Sequence, residues 1–224
     1  MRFQFTLRTL LVAVGVLSAL LSCWAALTRG ARVRRDAVAR LRECGAQIVY
    51  DYHILAPDHS FSNATPPDPG WRRALLGDDF SHQVMAVVFC RDRVDSQGKL
   101  VRCLPTITDA DMVCLEPLTA IRSLDLSYSQ VGDTGLEHVA HLTDLEKLEL
   151  RGTKVTNDGL RHLFRLAKLE YLGLEGTSIG DPGLEHLPGL ERLSLVNLTG
   201  TNATPQGVAT LHRTLPWTCI QFKP

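Results

Sequence analysis

Aromatic residues are scarce in this chain of 224 residues, at 6%. So few rings suit an aliphatic, leucine-rich stack better than a globule that encloses a ligand. Charge of either sign is not in excess, since acids and bases balance to zero, but the distribution is uneven. Residues 1–45 hold eight arginines against Asp36 and Glu43, a local +6, which leaves −6 for the remainder. The folded part therefore offers no basic footprint, and no nucleic-acid partner is expected. Nucleophile and metal-ligand motifs are also missing. Asp51, His53, Asp58, His59, Asp78 and Asp79 cluster in one region, yet none stands in such a motif, so they read as solvated loop and capping charge. No catalytic residue, cofactor, metal or small-molecule substrate is expected. Long apolar runs are absent too, with one exception at residues 10–27.

What the chain does have is a repeat. Apolar anchors recur every 24 residues at Ile107, Val131, Val155, Ile179 and Ala203. A second column follows at Met112, Leu136, Leu160, Leu184 and Val208. Between them lie strand-like triplets spaced L-x-x-L-x-L: Ile121/Leu124/Leu126, Leu145/Leu148/Leu150, Leu169/Leu172/Leu174 and Leu190/Leu193/Leu195. Self-similarity at this length with this pattern is the signature of a leucine-rich repeat. One unit cannot bury its own apolar face, so neighbours must stack into a solenoid. The expected fold is an α/β leucine-rich-repeat solenoid, a right-handed β-α superhelix of about five 24-residue repeats. An N-terminal transmembrane helix and an α/β cap precede it.

Within a unit, Leu148 and Leu150 alternate with Lys147, Glu149 and Arg151, giving one apolar and one solvated strand face. Ser129, Thr153, Thr177 and Thr201 form a hydroxyl column suited to bonding turn backbone. Asp109, Asp133, Asn157 and Asp181 precede each helical half, where an N-cap acceptor is expected. Leu160, Leu163 and Leu166 supply the inner face of a short convex helix. The fourth unit reads as three residues short at Pro188-Gly189, with a compensating bulge near Asn197. On that register the outward columns are Ser123, Lys147, Tyr171, Arg192; Asp125, Glu149, Gly173, Ser194; and Ser127, Arg151, Glu175, Val196. The candidate protein-binding residues on the concave face are Asp125, Lys147, Glu149, Arg151, Tyr171, Glu175 and Arg192. Tyr171 stands near the middle, and Gly173 beside it is expected to leave room for a partner side chain. The competing account of this face is weak cross-strand charge pairing that merely solvates it.

Residues 10–27 are uncharged and bracketed by Arg8 and Arg29. As a helix they reach about 27 Å, enough for a bilayer core. A retained anchor competes with a cleaved signal, which lacks a good cleavage site, and with a lipoprotein signal at Leu20-Leu21-Ser22-Cys23. The apolar run continues past Cys23 to Leu27, which favours the anchor. Arginines flank both ends, so the side of the membrane stays open. Residues 1–9 form a basic segment, 10–27 the transmembrane helix, 28–80 a helical neck and cap, and 81–224 the repeat domain. In the neck, Val33, Ala37, Leu41 and Cys44 share a stripe, and Gly45 ends the helix. The arginines around that stripe are read as a stop-transfer flank in preference to an anionic-lipid site.

Gln47–Ile54 looks like a strand, 71–76 a short helix, Val84/Val87/Phe89 the first stack strand and 215–222 the closing one. Cys90 to Thr106 carries an insertion of 13 residues relative to later units. Cys90 and Cys103 flank it, and an exported domain could close it with a disulfide worth about 3 kcal/mol. Cys44, Cys114 and Cys219 fall at core positions. His138, His162 and His186 share a column with Cys114, but successive convex helices lie about 8–10 Å apart, too far for one zinc ion. Asn63, Asn197 and Asn202 open sequon-like triplets, short enough to arise by chance.

Phe5-Thr-Leu-Arg-Thr-Leu-Leu11, Val49-Tyr-Asp-Tyr52, Leu75-Leu-Gly-Asp-Asp-Phe80 and the Val-Thr-Asp-x-Gly-Leu repeats together resemble bacterial membrane-anchored leucine-rich-repeat proteins. The repeats are also similar to the cysteine-containing subclass of F-box substrate adaptors, but no F-box-like helical segment is present. The resemblance implies fold and anchoring and brings no activity with it. The leading expectation is a single-pass membrane scaffold that binds a protein partner. The alternatives are an enzyme with its site in the cap and the 90–106 insertion, and a soluble ubiquitin-ligase-type substrate adaptor.

Overall fold

The computed structural model describes residues 7–51, 83–89, 92–94, 100–102 and 107–223. It begins with α1 (Leu7–Glu43), one unbroken helix where an apolar segment and a separate neck were expected. Gly15 and Gly30 lie within it singly, and an isolated glycine weakens a helix without breaking it. At 1.5 Å per residue its 37 residues span about 56 Å. Gly45, at φ +87°, then turns the chain in the left-handed conformation favoured past a helix end. The buried residues of its second half are Ala31, Ala37, Val38 and Leu41. Val33 is corrected to the margin of that stripe, half exposed, because Ala31, Val38 and Leu41 set its centre.

The strands are β1 (Ala46–Tyr50), β2 (Val84–Phe89), β3 (Asp92–Val94), β4 (Leu100–Arg102), β5 (Ser123–Asp125), β6 (Lys147–Glu149), β7 (Tyr171–Gly173), β8 (Leu195–Asn197) and β9 (Cys219–Gln221). Seven of them form one sheet in the order β1-β2-β5-β6-β7-β8-β9. β1 lies antiparallel on β2, and every later pair is parallel. β3 and β4 make a separate hairpin inside the expected insertion, pairing Asp92 with Arg102 and Val94 with Leu100. Helices α2 (Asp133–Val139), α3 (Asn157–Leu160), α4 (Asp181–Leu184) and α5 (Pro205–Thr214) return the chain between strands. Shorter 3-10 turns accompany them at Asp109–Leu115, Arg161–Arg165 and Leu187–Gly189.

The core is a set of columns. Leu124, Leu148, Leu172 and Val196 are in register across the sheet and fully buried, with Ile220 closing the row. Leu126, Leu150, Leu174 and Leu198 form the next column, and Leu160, Leu163 and Leu166 face it from the helical side. The register corrects the expectation for the fourth unit. Its strand pairs Leu195 with Tyr171 and Val196 with Leu172, so the inward residues are Leu193, Val196 and Leu198. From β5 to β9 the 24-residue step therefore never breaks. Leu190 is the buried counterpart of Leu166, and the convex side shortens by tightening into the Leu187–Gly189 turn rather than by losing residues. Cys114 is buried as expected, whereas Cys219 lies on the outer face of the end strand and is exposed.

The hydroxyl column lies inside the turns. Thr153, Thr177 and Thr201 are buried and donate to the carbonyls of Leu150, Leu174 and Leu198 at 2.8, 2.7 and 2.8 Å. One residue earlier, Gly152, Gly176 and Gly200 adopt φ of +60°, +65° and +66°, which lets each amide reach the carbonyl of the next unit. Tyr128 holds the same place with φ +59°, a conformation costing a non-glycine residue about 1–2 kcal/mol.

The acidic column works differently from a row of N-caps. The N-cap positions are Thr108, Gly132, Thr156, Gly180 and Thr204, and each acid or amide begins the helix that follows. Its side chain reaches forward to the next unit. Asp109 accepts from the Gly132 amide at 2.6 Å, Asp133 from Thr156 at 2.7 Å, Asn157 from Gly180 at 2.8 Å and Asp181 from Thr204 at 2.7 Å. Asp133 and Asp181 also accept the hydroxyls of Thr156 and Thr204, each at 2.6 Å. Thr204's hydroxyl and amide together hold the Asp181 carboxyl below the ordinary carboxylate range. The glycine column explains itself here. A Cβ on Gly135 or Gly183 would stand 2.6 Å from the side-chain oxygen of Asp109 or Asn157, and Gly159 and Gly207 leave the same room for Asp133 and Asp181.

Two predictions follow from the stack. Leu172→Ala, with a filled unit on each side, should lose about 2–5 kcal/mol, and Ile220→Ala at the end strand under about 2 kcal/mol. Equal losses in urea denaturation at the two positions contradict nearest-neighbour stacking. Gly159→Ala should lose about 1–3 kcal/mol by driving a methyl against Asp133. Combined with Asp133→Ala, it should show a coupling above roughly 0.5 kcal/mol in a double-mutant cycle, and additivity of the two changes contradicts the interlock.

Candidate functional site

The helices pack behind the sheet, so the alternate strand positions form an open face. Its columns, on the observed register, run Ser123, Lys147, Tyr171, Leu195, Cys219 and then Asp125, Glu149, Gly173, Asn197, Gln221. Ser127, Arg151, Glu175 and Thr199 follow at the start of the turns, bridged by amide-to-carbonyl bonds from Tyr128 to Arg151 and from Gly152 to Glu175. Arg192 is not among them. It is exposed in the turn ahead of β8, one step along from Asp144 and Lys168, which pair at 2.6 Å. Leu195 takes the place expected for Arg192, Asn197 that of Ser194, and Thr199 that of Val196, which is core. The leucines at 190, 193 and 195 mimic the triplet three residues early, and the true inward residue at its centre is a valine.

Five of the expected residues come together as two small clusters. In the first, the Lys147 ammonium stands 4.8 Å from the Tyr171 ring centre and 3.4 Å from the Glu149 carboxylate. The Tyr171 hydroxyl is hydrogen-bonded to Glu149 and pushed up to about 12, first by burial and then by the negative charge of Glu149. Glu149 also fills the space above Gly173, where a Cβ would meet its carboxylate. Gly173 therefore accommodates a neighbour within the chain, not a partner side chain.

In the second cluster the Arg151 guanidinium meets Glu175 at 2.7 Å, and Asn197 donates to the other Glu175 oxygen at 3.5 Å. The same guanidinium lies 5.4 Å from the ring centre of Tyr128. Tyr128 is the residue that sequence reasoning missed. Its signal was available as a tyrosine standing in a column of turn glycines. Asp125 joins neither cluster; it accepts the Ser127 amide at 2.9 Å, and Asn197 likewise accepts the Thr199 amide at 3.0 Å. Exposed charge pairs of this kind are worth about 0–1 kcal/mol each. Their effect is to fix side-chain positions more than to hold the fold.

The histidine column is dispersed over the convex side. His138 contacts Glu116 at 2.9 Å and His162 lies 3.8 Å from Glu137. Among the described residues no group of three or more histidine, cysteine or acidic side chains converges on one point. Cys90 and Cys103, with the expected bridge between them, lie outside the described residues, as do His53, Asp58, His59, Asp78 and Asp79 of the expected cap.

A family profile for the leucine-rich repeat matches residues 119–140. That span contains β5 and all of α2. No curated protein sequence matches the chain. Among solved structures it is similar to an internalin from Listeria monocytogenes, at 22% identity over 50% of this chain and 46% of that one, with a TM-score of 0.41. A second internalin from the same organism shares 20% identity over 52% and 38%, with a TM-score of 0.37. The leucine-rich-repeat ectodomain of the Arabidopsis thaliana receptor kinase SOBIR1 shares 18% over 60% and 78%, with a TM-score of 0.37. The chain spans less than half the length of either internalin. The solenoid assignment itself rests on the uninterrupted 24-residue register and the matched repeat.

The first cluster can be read by titration. Glu149→Gln removes a negative charge from the Tyr171 hydroxyl, so its midpoint should fall from about 12 toward the ordinary value of about 10, while burial keeps it from arriving there. Ultraviolet absorbance titration of wild type and variant measures the change, and an unmoved midpoint contradicts the contact.

Proposed function

We propose that this chain is a membrane-anchored leucine-rich-repeat scaffold that holds a protein partner on the open face of its sheet. The observation that carries the reading is the platform itself. Lys147, Glu149, Tyr171, Arg151 and Glu175 are positioned by one another on a rigid parallel ladder, and no described element covers them. Tyrosine and arginine are the residue types that most often anchor interfaces, and side chains already held in place lose less freedom on binding. With Tyr128 and Leu195 added and Arg192 removed, the candidate surface is centred on β6 and β7.

Anchoring is supported by α1. Residues 14–26 are exposed around the whole helix, including Val14, Val16, Leu17, Leu20, Leu21 and Trp24 at 51–61%. They lie within the uncharged run 10–27, about 27 Å long as a helix, and an apolar cylinder of that length without a protein cover suits a bilayer.

The test of the partner surface is a Lys147→Ala/Tyr171→Ala variant with an unchanged thermal melt, used beside wild type to capture partners from the native membrane. Recovery of the partner should fall about tenfold or more, as for the loss of an interface anchor. A variant that keeps every partner moves the binding site off this face.

A further inference from the structure

On α1, one set of side chains serves neither the solenoid core nor the apolar run. Arg29, Arg32 and Arg35 recur at three-residue steps and are all exposed. Residues at that spacing share one side of a helix. The side they occupy is turned away from the one that buries Ala37, Val38 and Leu41 against the first layer of the solenoid. None of the three guanidiniums pairs with an acid among the described residues, although Asp36 stands one turn beyond Arg32. Trp24 and Thr28 lead into the same side, and together with Arg29 and Arg32 they line a notch of about 360 Å³.

Axial distances place this notch. Counted from Leu27, the last residue of the uncharged run, Arg29 lies about 3 Å on, Arg32 about 8 Å and Arg35 about 12 Å. The polar layer on each side of a bilayer core is about 5–8 Å deep. Arg29 and Arg32 fall within it, and the long side chain of Arg35 can reach back to it. Trp24 sits about 5 Å inside the boundary, where an indole is favoured. A stripe that is apolar, then aromatic, then cationic matches the order of an anionic phospholipid from acyl chain to phosphate.

We propose that Trp24, Thr28, Arg29, Arg32 and Arg35 form a binding stripe for the headgroup phosphate of an anionic phospholipid, an inference that rests on the anchored reading above. Lipid is the source because the notch opens at the end of the exposed apolar run, where acyl chains lie. The consequence reaches the solenoid. α1 continues without a break from the stripe into the buried Val38 and Leu41, so a lipid held there fixes the tilt of the repeat domain above the bilayer.

The full chain, purified in a mild detergent, is titrated with phosphatidylglycerol or phosphatidylcholine, and bound lipid is counted by native mass spectrometry. Wild type should prefer phosphatidylglycerol, and each Arg→Gln change at 29, 32 and 35 should weaken that preference about fivefold. Arg40→Gln, roughly 20 Å past the apolar run, should leave it unchanged. A wild type without preference, a triple variant that keeps it, or an Arg40→Gln variant that loses as much as Arg32→Gln overturns the stripe. Alkaline carbonate extraction of membranes separates this from failure of the anchor. Release of wild type into the soluble fraction overturns anchoring itself, whereas retention without a lipid preference overturns only the headgroup site.

Discussion

The structure depends on one contact repeated down the stack: the side chain that opens each helix bonds to the backbone that opens the next. A helix N-terminus leaves amides without intrahelical partners, and a self-contained unit would satisfy them with its own cap. Here Asp109, Asp133, Asn157 and Asp181 each supply an acceptor to the unit after it. This makes satisfaction of the Gly132, Thr156, Gly180 and Thr204 amides conditional on the preceding unit being in place, while Thr204 also caps the Gly207 amide of its own helix. It also demands a glycine where the side-chain oxygen lands, which is why Gly135, Gly159, Gly183 and Gly207 recur at the same interval. Leucine burial drives the stack together, but burial is non-directional and tolerates sliding. The acid-to-amide bond, needing an oxygen within hydrogen-bonding distance of one particular N–H, sets the stagger that keeps 24 residues per step.

Much of this fold was legible because burial writes itself into composition. Columns of leucine, valine and isoleucine at a fixed interval identify inward positions without any knowledge of geometry, and the hydroxyl column was readable for the same reason. Two kinds of feature were not. The direction in which a side chain bonds is invisible to periodicity: Asp133 at the head of a helix fits an intra-unit cap and an inter-unit bridge equally well. The strand of the fourth unit was misread because the inward residue is Val196, while Leu190, Leu193 and Leu195 imitate the triplet. All three leucines are indeed near the core or the face, but only backbone pairing decides which ones point in. That single slip carried Arg192 onto the open face and Val196 out of the core.

The open face shows where stability and recognition separate. Its charges pair within the chain at distances that are real but energetically slight, so the residues there are free to differ from unit to unit while the inward columns cannot. The exception is Tyr128. It occupies a turn position that three other units give to glycine, accepts a left-handed backbone, and places its ring beneath Arg151. Strain of this kind persists only where the surroundings enforce it. Gly152 makes room for the side chain: a Cβ at that position would stand 2.9 Å from the Tyr128 ring.

At the other end of the molecule, α1 couples two demands that usually fall to separate segments. A solenoid leaves its first layer exposed and needs a cover, and here that cover is the second half of the helix whose uncharged residues 14–26 are exposed on every side. A flexible joint between the two would let an anchored domain rotate freely against the bilayer. An unbroken helix does not: turning the first half by one residue's worth of angle, about 100°, would carry Val38 and Leu41 out of the core. The rotational setting of the apolar segment is therefore fixed by the packing of the cap, and with it the direction in which the open face of the sheet is presented.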